Sequence, residues 1–157
     1  MSITQQNQQQ LASLIQTQAS VCGFCYTEKR LNAVVRPWMG LDSPRALCRS
    51  CAIARGMIQH EPQLVAWATR YLAQPPIMDI FPYTPVSRRI IAARLLAEQN
   101  GCAMCTKPTT NLSLNHDHKT GAIRGILCGR CNSLLGHIDY SVELLRTIEH
   151  FIERNPM

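Results

Sequence analysis

Apolar and polar positions along this chain fall into two rhythms, and each rhythm is used twice. "QQLASLIQTQ" and, further on, "SRRIIAARLLAEQ" place apolar residues three and four apart, which predicts helices, with Ser87 the expected N-cap of the second. Short β-like pieces follow each of them, "LNAVVRP" and "NLSLNHDH", and then "PRALC" and "GAIRGILC". A helical spacing returns in "QLVAWATRYLAQ" and in "VELLRTIEHFIER". Between the two sets, "QPPIMDIFPYTPVS" has no period and reads as a linker.

These recurrences are in register. All 8 cysteines fall in CxxC pairs, Cys22/Cys25, Cys48/Cys51, Cys102/Cys105 and Cys128/Cys131, and 22 residues separate Cys25 from Cys48 and again Cys105 from Cys128. At an offset of 80, Ala12 meets Ala92, Leu47 meets Leu127, Gly56 meets Gly136, Ile58 meets Ile138, Leu64 meets Leu144, Tyr71 meets Phe151 and Pro76 meets Pro156. The chain reads as one unit used twice, with residues 1–76 and 87–157 as the copies and 77–86 as linker. The fold class this predicts is a small zinc-stabilised α+β protein, each copy a helix, a zinc-knuckle β-hairpin and a helix. Four cysteines per copy make two structural Zn²⁺ sites, with Cys22, Cys25, Cys48 and Cys51 on one ion and Cys102, Cys105, Cys128 and Cys131 on the other.

Disulfides are the competing account of so many cysteines. They belong to secreted chains, and "MSITQQNQQQLASLIQTQ" has neither the basic segment nor the apolar run of a signal peptide. No apolar stretch approaches the ~20 residues of a membrane span. A soluble, cytoplasmic protein is expected, with no membrane partner. The net charge of +6 over 157 residues suits a polyanionic partner.

What one copy has and the other lacks points to chemistry. His116, Asp117 and His118 face Arg36, Pro37 and Trp38 across the offset, Arg124 faces Pro44, and Asn132 faces Ala52. Side chains alternate along a strand, so His116 and His118 share one face and Asp117 takes the other, where it serves the hairpin or supports the site. Lys119, Thr120 and Gly121 supply a turn. Asn132 follows Cys131, at the start of a helix that zinc fixes against the hairpin, and so faces the histidines. A neutral imidazole beside a hard cation held by oxygen is a means of hydrolysing a phosphodiester. Asn132 offers such an oxygen to Mg²⁺, and the planar fork of Arg124 suits a phosphate.

"LNHDHKTGAIRGILCGRCNSLLG" resembles the core of the recombination endonuclease VII family, within the His-Me finger (HNH, ββα-metal) nucleases. The resemblance covers about Cys102 to Gly136, with zinc ligands, histidine and asparagine all in register. It implies a phage-type DNA endonuclease with a ββα-metal core in the second copy, His116 as general base, and His118 supporting the site or the phosphate. It further implies that Asn132 and Asn115 bind one catalytic Mg²⁺ or Mn²⁺. The substrate implied is duplex or branched DNA, in the host cytoplasm if the chain is phage-encoded. The family usually has Asp where this chain has Asn115, which removes a formal charge from the ion's ligands, and only about 20 residues follow His137, so a preference for branched junctions does not carry over.

The degenerate first copy leaves two assemblies open: a monomer in which residues 1–76 act as an internal pseudo-partner, or a homodimer. A non-catalytic zinc module that binds nucleic acid or protein is the alternative function. Arg88 and Arg89 lie on the helix ahead of the histidines as candidate phosphate contacts, with Arg94 on the same helix. Trp38 is expected in a core, while His60, His137 and His150 carry no motif.

Overall fold

A computed structural model describes residues 21–28, 31–35, 45–78 and 84–155, with scattered helical positions between 5 and 16. Along it run β1 (Leu31–Val35), β2 (Arg45–Cys48), α1 (Arg49–His60), α2 (Gln63–Leu72), α3 (Pro85–Glu98), β3 (Leu112–His116), β4 (Ile123–Cys128), α4 (Gly129–His137) and α5 (Val142–Arg154). Trp38, with Arg36, Pro37 and Pro44, lies outside the described residues. Among the described residues, no helix is long and apolar enough to cross a membrane.

Each cysteine set is built on a two-stranded antiparallel sheet, β1 with β2 and β3 with β4, and a helix starts at the residue after Cys48 and after Cys128. The knuckles repeat bond for bond. Gly23 N–H donates to Ala46 C=O as Ala103 N–H does to Ile126 C=O, and Tyr26 N–H donates to Cys22 C=O as Thr106 N–H does to Cys102 C=O. Tyr26 and Thr106 both take a positive φ, 53° and 60°, the left-handed conformation that lets the chain fold back around a metal site.

By contacts the chain divides into two compact units, Met1–Pro62 with Glu143–Met157, and Gln63–Val142. This division crosses the sequence copies. α2, from the end of the first copy, falls in the unit of β3, β4 and α4, whereas nearly all of α5 falls in the unit of β1, β2 and α1. In the first unit Phe24 and Phe151 meet edge to face with ring centroids 5.1 Å apart, and Leu145, Ile148 and Phe151 form the buried stripe of α5. In the second unit, α2 buries Leu64, Val65, Ala68 and Tyr71. There Leu95 of α3 packs with Ile123 and Ile126 of β4, flanked by Met78, Ile91, Leu112 and Leu114.

The cap of α3 is Thr84 rather than Ser87. Thr84 Oγ1 accepts from the Ser87 amide at 3.3 Å, and Pro85 follows the cap, where its missing N–H costs nothing. The helix thus begins inside the segment read as linker.

Candidate active site

The hairpin that carries the histidines is fixed at both ends. At its tip Asp117 Oδ1 accepts from the amides of Lys119 (2.8 Å) and Thr120 (3.1 Å), Gly121 N–H donates to Asp117 C=O, and Gly121 takes φ +76°. Burial opposes the charge of Asp117, but the Thr120 and Lys119 amides and Arg124 outweigh it and hold the carboxyl below its usual range. At its base Leu112 pairs with Cys128, so the zinc ligands and the strands share one frame.

Register breaks between the two. Asn115 pairs with Gly125 but His116 pairs with Ile123, which leaves Arg124 as the extra residue of a β-bulge. A bulge re-aims side chains locally. Here His116 closes β3 while His118 sits in the turn, and their rings come within 5.1 Å of one another. Tyr140 stands 5.8 Å from the His118 ring. Desolvation lowers the pKa of His116, and the charges of His118 and of Arg88 on α3 lower it further against the opposing pull of Asp117. A half-buried imidazole of this kind is neutral and able to accept a proton at neutral pH.

Asn115 lies behind the histidines, 1% exposed. Its Nδ2 donates to Asn132 Oδ1 at 2.9 Å and to the Tyr140 hydroxyl at 2.7 Å, and its Oδ1 accepts from the Tyr71 hydroxyl at 3.1 Å. The Tyr140 hydroxyl donates in turn to His116 C=O at 2.6 Å. Asn115 and Tyr140 therefore link Asn132 to the strand end that bears His116, beside which the His118 ring lies. Arg124 is half-buried, donates from Nη1 to Gln74 C=O at 3.0 Å, and its buried Nε has no partner among the described residues. Arg89 is exposed, and Arg94 is engaged with Glu98 at 2.9 Å. His60 and His150 are exposed and His137 half-buried.

Two residues of this site carry no motif, Tyr71 and Tyr140. The available signal for Tyr71 was its pairing with Phe151 at the 80-residue offset, a hydroxyl in one copy only. Tyr140 is marked by backbone geometry instead: Asp139 and Tyr140 both hold positive φ, 50° and 57°, and Lys119 Nζ anchors Asp139 at 2.8 Å.

The donor sets decide which metals fit. The four Sγ atoms of Cys22, Cys25, Cys48 and Cys51 lie within 4.8 Å of one another, as do those of Cys102, Cys105, Cys128 and Cys131, and four thiolates at that spacing suit one tetrahedral Zn²⁺. The Cys51 thiol and nearby amides hold the Cys22 sulfur as a thiolate with its pKa lowered to about 4, and Cys131 does the same for Cys102. For a hard divalent cation the candidate oxygen is Asn132 Oδ1, on a half-buried residue, which accepts from Asn115 next to His116 in the chain. Asn115, expected to share that ion, turns its amino group to Asn132 and its carbonyl to Tyr71. One neutral oxygen suits a cation that keeps most of its waters.

Residues 83–154 match the model of a family described as recombination endonuclease VII. "Gene 59 protein" of Mycobacterium phage D29 is similar at 36% identity over 59 residues, 35% of this chain and 36% of that protein, so the match spans little more than a third of that relative's length. No solved structure matches.

Proposed function

We propose, from the recombination endonuclease VII pattern carried by residues 83–154, that this protein is a metal-dependent DNA endonuclease of His-Me finger type with one hydrolytic site in its second copy. The family points to a nuclease acting on DNA. The observation that supports the finer reading is that His116, lowered in pKa by desolvation, is linked through Asn115 and Tyr140 to Asn132 in the first turn of α4.

In this reading His116 takes a proton from a water molecule, which attacks the scissile phosphorus as the bond to the leaving oxygen breaks. Asn132 would hold a divalent cation, which when bound would supply positive charge to stabilise the phosphate and the leaving oxygen. His118, exposed in the turn beside His116, contacts the phosphate or supports the base. Arg124 contributes positive charge from the bulge, and the charge of Arg88 on α3 disfavours protonation of His116. Asn115 orients Asn132 by the bond at 2.9 Å. The eight cysteines hold two zinc ions and take no part in the chemistry, because a closed four-thiolate site leaves no open position.

A non-catalytic zinc module that binds nucleic acid is the second reading, favoured by one observation: Asn132 Oδ1 is bonded to another amide, that of Asn115, and Asp117 Oδ1 is engaged by the turn amides. Plasmid incubated with Mg²⁺ or Mn²⁺ separates the two. The nuclease reading expects cleavage that slows by about 10²-fold or more in His116→Ala with zinc content unchanged, whereas intact plasmid with the wild-type chain under both ions would leave only the binding module.

A further inference from the structure

The hydrogen bonds beside the histidines form a directed network in which the side-chain donors of Tyr71, Asn115 and Tyr140 are all used. The Tyr140 hydroxyl has one hydrogen, and at 2.6 Å it goes to His116 C=O. Its oxygen must then accept from Asn115, which fixes the Asn115 amide with Nδ2 toward Tyr140 and Asn132. Asn115 Oδ1 is left facing Tyr71, whose hydroxyl donates to it at 3.1 Å. Asn115 is 1% and Tyr71 3% exposed, so water does not replace that bond.

Gly125 packs beside this hydroxyl without crowding it. Gly125, opposite Asn115 in the register, has φ +141°, and a Cβ there would stand 3.6 Å from Tyr71 Oη. The sequence copies show that the hydroxyl is selective. Tyr71 and Phe151 are equivalent at the 80-residue offset, and so are Asn115 and Val35. The helix with the hydroxyl falls in the unit that holds Asn115, and the helix without it falls in the unit of the copy that has valine there.

We propose that Tyr71, supplied by the otherwise non-catalytic first copy, is a positioning residue for the active site of the second. Acting through Asn115, and jointly with Tyr140, it sets the orientation of the Asn132 amide and of the strand end that bears His116. The catalytic half is thus incomplete without the last helix of its neighbour in sequence. This inference rests on the nuclease reading for its effect on rate, but the network itself is testable without it.

The test uses the full zinc-loaded chain, with Tyr71→Phe and Tyr140→Phe beside the exposed control Tyr26→Phe. Phenylalanine already occupies the equivalent position 151, so Tyr71→Phe keeps the packing. Side-chain amide spectra by NMR are expected to show the Asn115 NH₂ protected in the wild type. In both variants its solvent exchange rises roughly tenfold, as for loss of one ordinary hydrogen bond, and the Asn132 amide resonances shift. DNA cleavage slows by about tenfold or more, the Mn²⁺ concentration for half-maximal rate rises, and Tyr26→Phe changes neither. Unmoved Asn132 resonances in Tyr71→Phe would overturn the proposal, as would a cleavage rate and Mn²⁺ requirement within twofold of wild type. If the wild-type chain cuts no DNA, the nuclease reading fails, and the amide spectra still decide whether Tyr71 positions Asn132.

Discussion

His116 titrates below 6.5 because burial, His118 and Arg88 all disfavour its charged form. For a general base the sign is direct: the neutral form works, so kcat/KM should rise with pH through an apparent pKa under 6.5 and then level off. An inflection above the ordinary histidine value would contradict that assignment. Replacing His116 with Ala should lower the cleavage rate by about 10²–10⁴-fold. Asn115 gives a sharper contrast. Asn115→Asp puts a carboxylate where an amide now donates to Asn132 and Tyr140, and an uncompensated buried charge costs several kcal/mol. Without divalent ions the variant should melt lower than wild type, and added Mn²⁺ should raise its Tm far more than that of the wild type, by linkage to binding. Equal Mn²⁺ responses in the two proteins would show that position 115 does not face the ion.

Elements and metal are inseparable in units this small. With two four-thiolate sets, each pinning a hairpin to a helix, zinc binding becomes folding energy, of order 10 kcal/mol in small finger peptides. Chelation is expected to abolish the near-ultraviolet circular dichroism, and metal analysis of the folded protein to return two zinc ions per chain. Gly125 tests the bulge: Gly125→Ala forces a side chain to φ +141° against Ala103 and Gln99 at 3.4 Å, and should cost about 1–3 kcal/mol in denaturant titration. The cysteine sets and the strands were legible because local spacing specifies them. The Thr84 cap was missed in favour of Ser87, although Pro85 directly after Thr84 was the signal for it. The role of α2 was not legible. Its stripe of Leu64, Val65, Ala68 and Tyr71 would suit either core, and only the hydroxyl of Tyr71 against Phe151 distinguishes the two helices.

For the whole molecule, the proposed nuclease function implies a single hydrolytic centre, built on the second of the two sequence copies. The first copy keeps its cysteine set and its apolar positions but has Arg36 and Ala52 in place of His116 and Asn132, and it contributes Tyr71 to the unit that holds them. One centre in a monomer cuts one strand for each binding event. A homodimer would bring two centres and permit paired cuts, so the form of the first product reports the assembly as well as the chemistry. The most direct measurement is a time course on supercoiled plasmid with Mn²⁺, run beside His116→Ala and with the solution mass determined. The account predicts a monomer that accumulates open circles before any linear DNA, and cutting by His116→Ala slower by about 10²-fold or more. Linear product from the outset with a dimer mass, or cutting by His116→Ala within tenfold of the wild-type rate, would contradict it.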